Sequence, residues 1–174
     1  MPVQESDSPA FGAVETEIDP EIDLEIVIVV AAGDWAISED HPLAAVAAAF
    51  EVAGSSPRSL TISLSDDATV AKLNEQFRGK TGPTNVLSFP FDPAMDGAGY
   101  LGDIAIAFET VAREAVDEGV SLADRVTHMI VHGVLHLLGY DHENDEDATT
   151  METLEVEALA RLGIANPYRQ AGGD

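Results

Sequence analysis

The chain predicts an α/β fold of the α+β kind: a small four-stranded mixed sheet packed with about five helices, with a cluster of three histidines at the end of one helix. Three observations carry that expectation. Apolar residues alternate at Ile22, Leu24, Ile26, Ile28, Val30 and again at Leu60, Ile62, Leu64, the period of a half-buried strand. Between and after these runs lie segments with helix caps at one end and glycine at the other. The run His132-Gly-Val-Leu-His136-Leu-Leu-Gly139-Tyr-Asp-His142 then places two histidines at helical spacing with a third just past a glycine.

The elements follow in order. Residues 1–20 are acidic, hold Pro2, Pro9 and Pro20 and lack periodicity, so they read as a disordered tail. A strand over 22–30 opens the single domain expected over 21–168, and residues 169–174 read as a second short tail. Ser38 or Asp40 can cap a helix with Pro42 near its start that ends at Gly54. The strand 60–64 leads to a helix capped by Ser65 or Asp66, with Val70, Leu73 and Phe77 on its buried face and Gly79 past its end. Val86–Phe91 and Leu101–Ala107 read as strands, with Pro90 marking an edge. Helices are expected at about 108–118, at 122–138 behind the capping pattern Ser121-Leu-Ala-Asp124, and at about 148–162 ending at Gly163.

At 174 residues with 45% hydrophobic composition, one domain with a real core is expected. Without cysteine there is neither disulfide nor thiolate metal site, which fits the cytoplasm. No stretch is long and apolar enough to span a bilayer and no signal peptide is visible, so no membrane partner is expected. The charge is lopsided: 32 acidic residues face 8 Lys and Arg, a net −24, and no cation precedes Arg58. Taken alone, that field argues against a nucleic-acid partner. Local potential decides binding, however, and Lys72, Arg78 and Lys80 cluster in one short segment.

Histidines four apart on a helix point the same way, about 6 Å apart along the axis, so both imidazoles can reach one metal ion. Gly139 can take positive φ, stop the helix and let the chain return His142 as a third ligand. Three neutral imidazoles leave a tetrahedral zinc one position short, the arrangement of a catalytic site; nickel and copper take the same ligands. A fourth ligand, His128 or Asp141, would instead make the site structural. His128 continues the same row one turn upstream and reads as a helix-face or ligand-supporting residue. The spacing matches metzincin proteases, but they carry Glu after the first His as general base, and this chain has Gly133. Peptide hydrolysis is therefore disfavoured.

The motif at 132–142 resembles the YbeY family of bacterial rRNA maturation factors and endoribonucleases. So do Leu73-Asn-Glu-Gln-Phe-Arg78-Gly-Lys, Pro83-Thr-Asn-Val-Leu-Ser88-Phe-Pro90 and Leu101-Gly-Asp103-Ile, with Met151 and Glu155 in the last helix. Together these cover roughly 22–165. One departure stands out: the family usually has Asp where this chain has Asn85. The resemblance implies one zinc at His132, His136 and His142, a functional Arg78, and hydrolysis of single-stranded RNA in 16S rRNA 3′-end maturation and ribosome quality control. The implied partners are rRNA of the small ribosomal subunit and ribosomal or ribosome-assembly proteins, not DNA. Asp141, beside the third histidine, could orient a ligand or accept a proton, and orientation is the commoner job. Ser88 and Asp103 could line the cleft, and Met151 reads as core. Arg78 could serve phosphate or merely cap helix carbonyls. A non-catalytic assembly factor with structural zinc is the alternative, and a metallopeptidase a more distant one.

Overall fold

The computed structural model describes residues 25–82, 84–92 and 99–168, together with the backbone of 13–15. The expected tails, 1–20 and 169–174, lie outside these residues apart from 13–15. So do the start of the first expected strand and residues 93–98 of the loop after Phe91.

Five strands form one mixed sheet: β1 (Ala13–Glu15), β2 (Ile26–Val30), β3 (Ser59–Ser65), β4 (Val86–Pro90) and β5 (Tyr100–Ala107), in the spatial order β1-β2-β3-β5-β4. The four strands expected are present. The addition is β1, a three-residue strand inside the stretch read as a tail, paired antiparallel with β2 through backbone contacts that side-chain periodicity does not reveal. Strands β2, β3 and β5 run parallel, and β4 returns antiparallel on the edge. Pro90 ends that edge strand, where its missing N–H costs no ladder bond.

The helices are α1 (Asp40–Ala53), α2 (Asp67–Arg78), α3 (Phe108–Glu118), α4 (Leu122–Leu137) and α5 (Asp145–Arg161). One sheet face carries the main core, where Ile26, Ile28, Leu60, Ile62, Leu64, Ile104 and Ile106 meet the apolar faces of α1, α4 and α5. The other face carries a smaller cluster of Val70, Leu87, Ala105 and Ala107 beneath α2, with Leu73 and Phe89 packed against it. Helix α4 is the central one: from Arg125 to Leu137 only His132 and His136 escape full burial.

Local chemistry sets the boundaries. Asp66 Oδ1 accepts from the Thr69 N–H at 2.8 Å and Ser121 Oγ from the Asp124 N–H at 3.0 Å, both as the sequence suggests. Helix α5 starts three residues earlier than expected, because Asn144 caps it through the Asp147 N–H at 2.8 Å and Asp145, Glu146 and Asp147 load its first turn with negative charge. Phe77 departs from expectation: instead of facing the core it is 61% exposed. No described helix is long and apolar enough to cross a membrane.

Candidate functional site

Helix α4 ends by a tight reversal. The Gly139 N–H bonds His136 O at 3.0 Å and the Tyr140 N–H bonds Leu135 O at 3.1 Å, with Gly139 at φ +106°. A side chain there would be strained by backbone conformation alone, since nothing crowds its Cβ direction. The reversal brings His142 back over the helix end. The three rings form a nearly equilateral triangle, with centroids 5.7 Å apart for His132–His136 and 5.6 Å for each of the other two pairs.

Two rings are oriented by acceptors at Nδ1. Glu155 Oε2 lies 2.6 Å from His132 Nδ1, and Tyr140 O lies 2.7 Å from His136 Nδ1. An ionised carboxylate and a carbonyl can only accept, so both Nδ1 atoms carry the proton and both Nε2 atoms keep a lone pair. Rings that bind one zinc through Nε2 would stand about 5 Å apart. The observed triangle is a little wider, and among the described residues no three His, Cys, Asp or Glu side chains are closed into a metal-holding set as they stand. His142 is the exposed member of the three, while His132 and His136 are half-buried.

Glu155 is the residue whose role the sequence reading missed. It is 1% exposed on α5 and gathers three donors: His132 on Oε2, and His128 at 2.9 Å and the Tyr168 hydroxyl on Oε1. Burial would raise its pKa, but hydrogen bonds from His128, from His132 and from the Tyr168 hydroxyl outweigh that and hold the carboxyl down at about 2. Behind it, Arg125 Nη1 donates to His128 Nδ1 at 3.1 Å, and Arg125 Nη2 donates to Glu114 Oε1 at 2.6 Å. Asn85 Nδ2 donates to the same Glu114 carboxylate at 3.2 Å. A chain of contacts, buried at its centre, thus runs Asn85–Glu114–Arg125–His128–Glu155–His132. With Glu114 beside it, an aspartate at position 85 would meet a like charge, whereas the amide of Asn85 supplies a donor. His128 is a supporting residue, not a fourth ligand. The only sequence signal for Glu155 was its place in a family-like segment, because α5 meets α4 only through the fold.

The histidines share a cleft of ≈ 260 Å³ with Arg78, Thr84, Asn85, Val86 and Ser88. The other role considered for Arg78, capping the carbonyls of α2, is not what its side chain does in this structure. The carbonyls at the end of α2 are met by backbone donors, Gly79 N–H to Glu75 O at 3.2 Å and Lys80 N–H to Asn74 O at 3.4 Å. Among the described residues, the Arg78 guanidinium takes part in no hydrogen bond or ion pair. It is an uncommitted cation on the cleft wall. Ser88 lines the cleft and donates to Gly133 O at 3.3 Å.

Two other candidates fall outside. Asp141 does not line the cleft, and its Oδ1 accepts from the Glu143 N–H at 3.3 Å; the orienting carboxylate is Glu155, not Asp141. Asp103 accepts from the Tyr100 hydroxyl at 2.6 Å and likewise does not line the cleft. Met151 is core, 1% exposed. Gly133 has a packing reason of its own: a Cβ there would lie 3.0–3.2 Å from three atoms of the Ile104 side chain, which would have to give way by a few tenths of an ångström.

An α/β domain that presents a tautomer-fixed histidine cluster and a free guanidinium in one cleft has the makings of a metal-assisted hydrolase acting on an anionic substrate. The comparisons make the class specific. A family model described as Endoribonuclease YbeY matches residues 34–163. A protein of Parvibaculum lavamentivorans named Endoribonuclease YbeY is 49% identical over 157 residues, which cover 83% of this chain and 85% of that protein. One of the same name from Paramagnetospirillum magneticum is 56% identical over 115 residues, 63% of this chain and 70% of its own. The fold is similar to the solution structure of TM1509 from Thermotoga maritima, with a TM-score of 0.53 at 22% identity, covering 83% of this chain and 99% of that one. This chain belongs to the Endoribonuclease YbeY family.

Proposed function

We propose that this chain is a zinc-dependent endoribonuclease that cuts single-stranded RNA, with one zinc held by His132, His136 and His142. Its setting would be the cytoplasm, its task the maturation of the 16S rRNA 3′ end and ribosome quality control, alongside ribosomal or ribosome-assembly proteins. Membership of the family supports hydrolysis of RNA. The observation that carries the rest is the joining of three histidines and an uncommitted Arg78 in one cleft.

The donor set fits zinc: three imidazoles, two with Nε2 left free by acceptors at Nδ1. When bound, the ion supplies Lewis acidity toward a phosphate oxygen. The chain's own residues do the rest. Arg78 grips and neutralises the phosphate, its planar fork matching two oxygens at once. Glu155 and the Tyr140 carbonyl hold the rings of His132 and His136 in one tautomer and one direction. The small cleft admits a backbone more readily than a paired helix. Neither His128 nor Asp141 reaches the cleft as a fourth ligand, which favours catalysis over a structural metal. Peptidase chemistry lacks its base, because glycine at 133 carries no carboxylate beside the first histidine.

The test joins zinc analysis to cleavage of single-stranded RNA, including a fragment spanning the 16S rRNA 3′ end, and of casein. Wild type should cut RNA in a chelator-sensitive way and leave casein intact. His136→Ala should lose zinc and cleavage together. Arg78→Glu should keep zinc and fold but lose cleavage by at least ~100-fold. Full cleavage by Arg78→Glu, or casein turnover lost with His136→Ala while RNA stays intact, would overturn the reading.

A further inference from the structure

The last turn of α2 exposes an aromatic ring that the core does not use. Val70 is fully buried on that helix and Leu73 packs beside it, yet Phe77, one turn on, is 61% exposed. Its ring is held edge-on by Phe89, with centroids 5.6 Å apart at 68°. The edge-on contact with Phe89 is favourable in itself and leaves much of the Phe77 ring open to solvent, where a second flat ring could lie on it. It directly precedes Arg78, which lines the histidine cleft, and Lys80 follows, exposed past the helix end.

Charge says what that something is. In a chain of net −24, residues 68–91 carry Lys72, Arg78 and Lys80 against a single acid, Glu75. The opposite flank of the cleft, reached past the shared wall of Asn85, Val86 and His132, is the reverse. Its cavities are lined by Asp117, Glu118 and Asp124, and its one cation, Arg125, is committed to Glu114 and Glu118 at 2.6 and 3.4 Å. A polyanion leaving the cleft is repelled on that side and attracted on the other. Cations interleaved with an exposed aromatic are what a single strand of nucleic acid uses: the cations track phosphates and the ring stacks on a base.

We infer that Phe77 is a stacking platform for an unpaired base of the RNA, and that the strand leaves the histidine cleft over the α2–β4 flank and not past Tyr168. This inference rests on the ribonuclease reading above. It assigns Phe77 to substrate binding, with no part in holding the metal or moving a proton. A duplex cannot offer its base faces to the ring, so the platform selects single strands.

The chain helps the test, since its one tryptophan, Trp35, is buried and 4% exposed. Phe77→Trp adds a second, exposed reporter on the platform. A single-stranded 2′-O-methyl decaribonucleotide should quench its emission and bind as tightly as to wild type. An abasic strand of equal length and an RNA duplex should quench little. Phe77→Leu keeps the apolar character without the ring face and should weaken binding roughly five-fold or more, raising KM more than it lowers kcat. Val120→Ala, at an exposed apolar residue on the opposite flank, should leave binding as in wild type. If wild type binds and cleaves single strands but Phe77→Leu binds equally well, or the abasic strand quenches Phe77→Trp as strongly, the platform is refuted and the ribonuclease reading stands. If wild type neither binds nor cuts RNA, the ribonuclease reading itself fails and takes the platform with it.

Discussion

Glu155 shows how much of the site rests on a residue that touches no substrate. Its two oxygens accept from His128, His132 and Tyr168, and both histidine donors are fixed in their tautomers from the far side or by the carboxylate itself. Glu155→Gln keeps the shape but replaces one acceptor oxygen by an N–H₂ that faces a donor. Whichever way the amide turns, one histidine loses its orienting partner. Zinc affinity should fall about 10- to 100-fold, the usual cost of losing such a partner, while His136→Ala should abolish it. Calorimetric titration with zinc separates these outcomes; unchanged affinity in Glu155→Gln would mean that packing alone orients His132. Arg78 is the opposite case, a residue whose value lies in being unpaired. The sequence left its role divided between helix end and phosphate, and the backbone bonds at the end of α2 leave the guanidinium uncommitted.

At the scale of elements, α4 is positioned by what it lacks. The absence of a side chain at Gly133 lets the helix settle on Ile104, and this contact places His132 and His136 at the edge of β4, where Ser88 ties the helix carbonyl to the strand. Alanine at 133 would gain about 1 kcal/mol of helix propensity. It would also press on three atoms of a β-branched residue fixed in a strand, an overpacking that costs about 1–3 kcal/mol. The loss should win: Gly133→Ala should unfold at lower denaturant concentration with an unchanged slope. Ile104→Val, which removes the atom nearest the new methyl, should couple favourably with it in a double-mutant cycle. A stabilised Gly133→Ala would show that the contact is slack. The same elements mark where sequence reading works. Strand alternation, the caps at Asp66 and Ser121 and the histidine spacing are local patterns, and they placed four strands, five helices and the ring cluster. What escaped is not local. Strand β1 is held by ladder bonds to β2, Glu155 reaches His132 from another helix, and Phe77 follows the helical period yet stays 61% exposed beside Phe89 of the edge strand.

At the scale of the whole molecule, the net charge of −24 sets two responses to salt that run in opposite directions. Self-repulsion among 32 carboxylates weakens the compact state, so screening should raise the melting temperature between 50 and 200 mM salt. RNA binding should weaken over the same range, because it depends on release of counterions from phosphates met by cations. The cations available to the strand are few: Arg78 at the cleft, Lys80 just past the end of α2 and Lys72 on that helix. With two or three phosphates engaged, the slope of log affinity against log salt should be about −1.4 to −2, a loss of roughly ten-fold over that four-fold change. Such a shallow slope would distinguish this chain from a broadly basic RNA binder, and it would leave affinity to base stacking and to the histidine cleft. A steep slope, equivalent to six or more phosphates, would mean that cations outside residues 68–91 hold the strand, and the course over α2 would have to be abandoned.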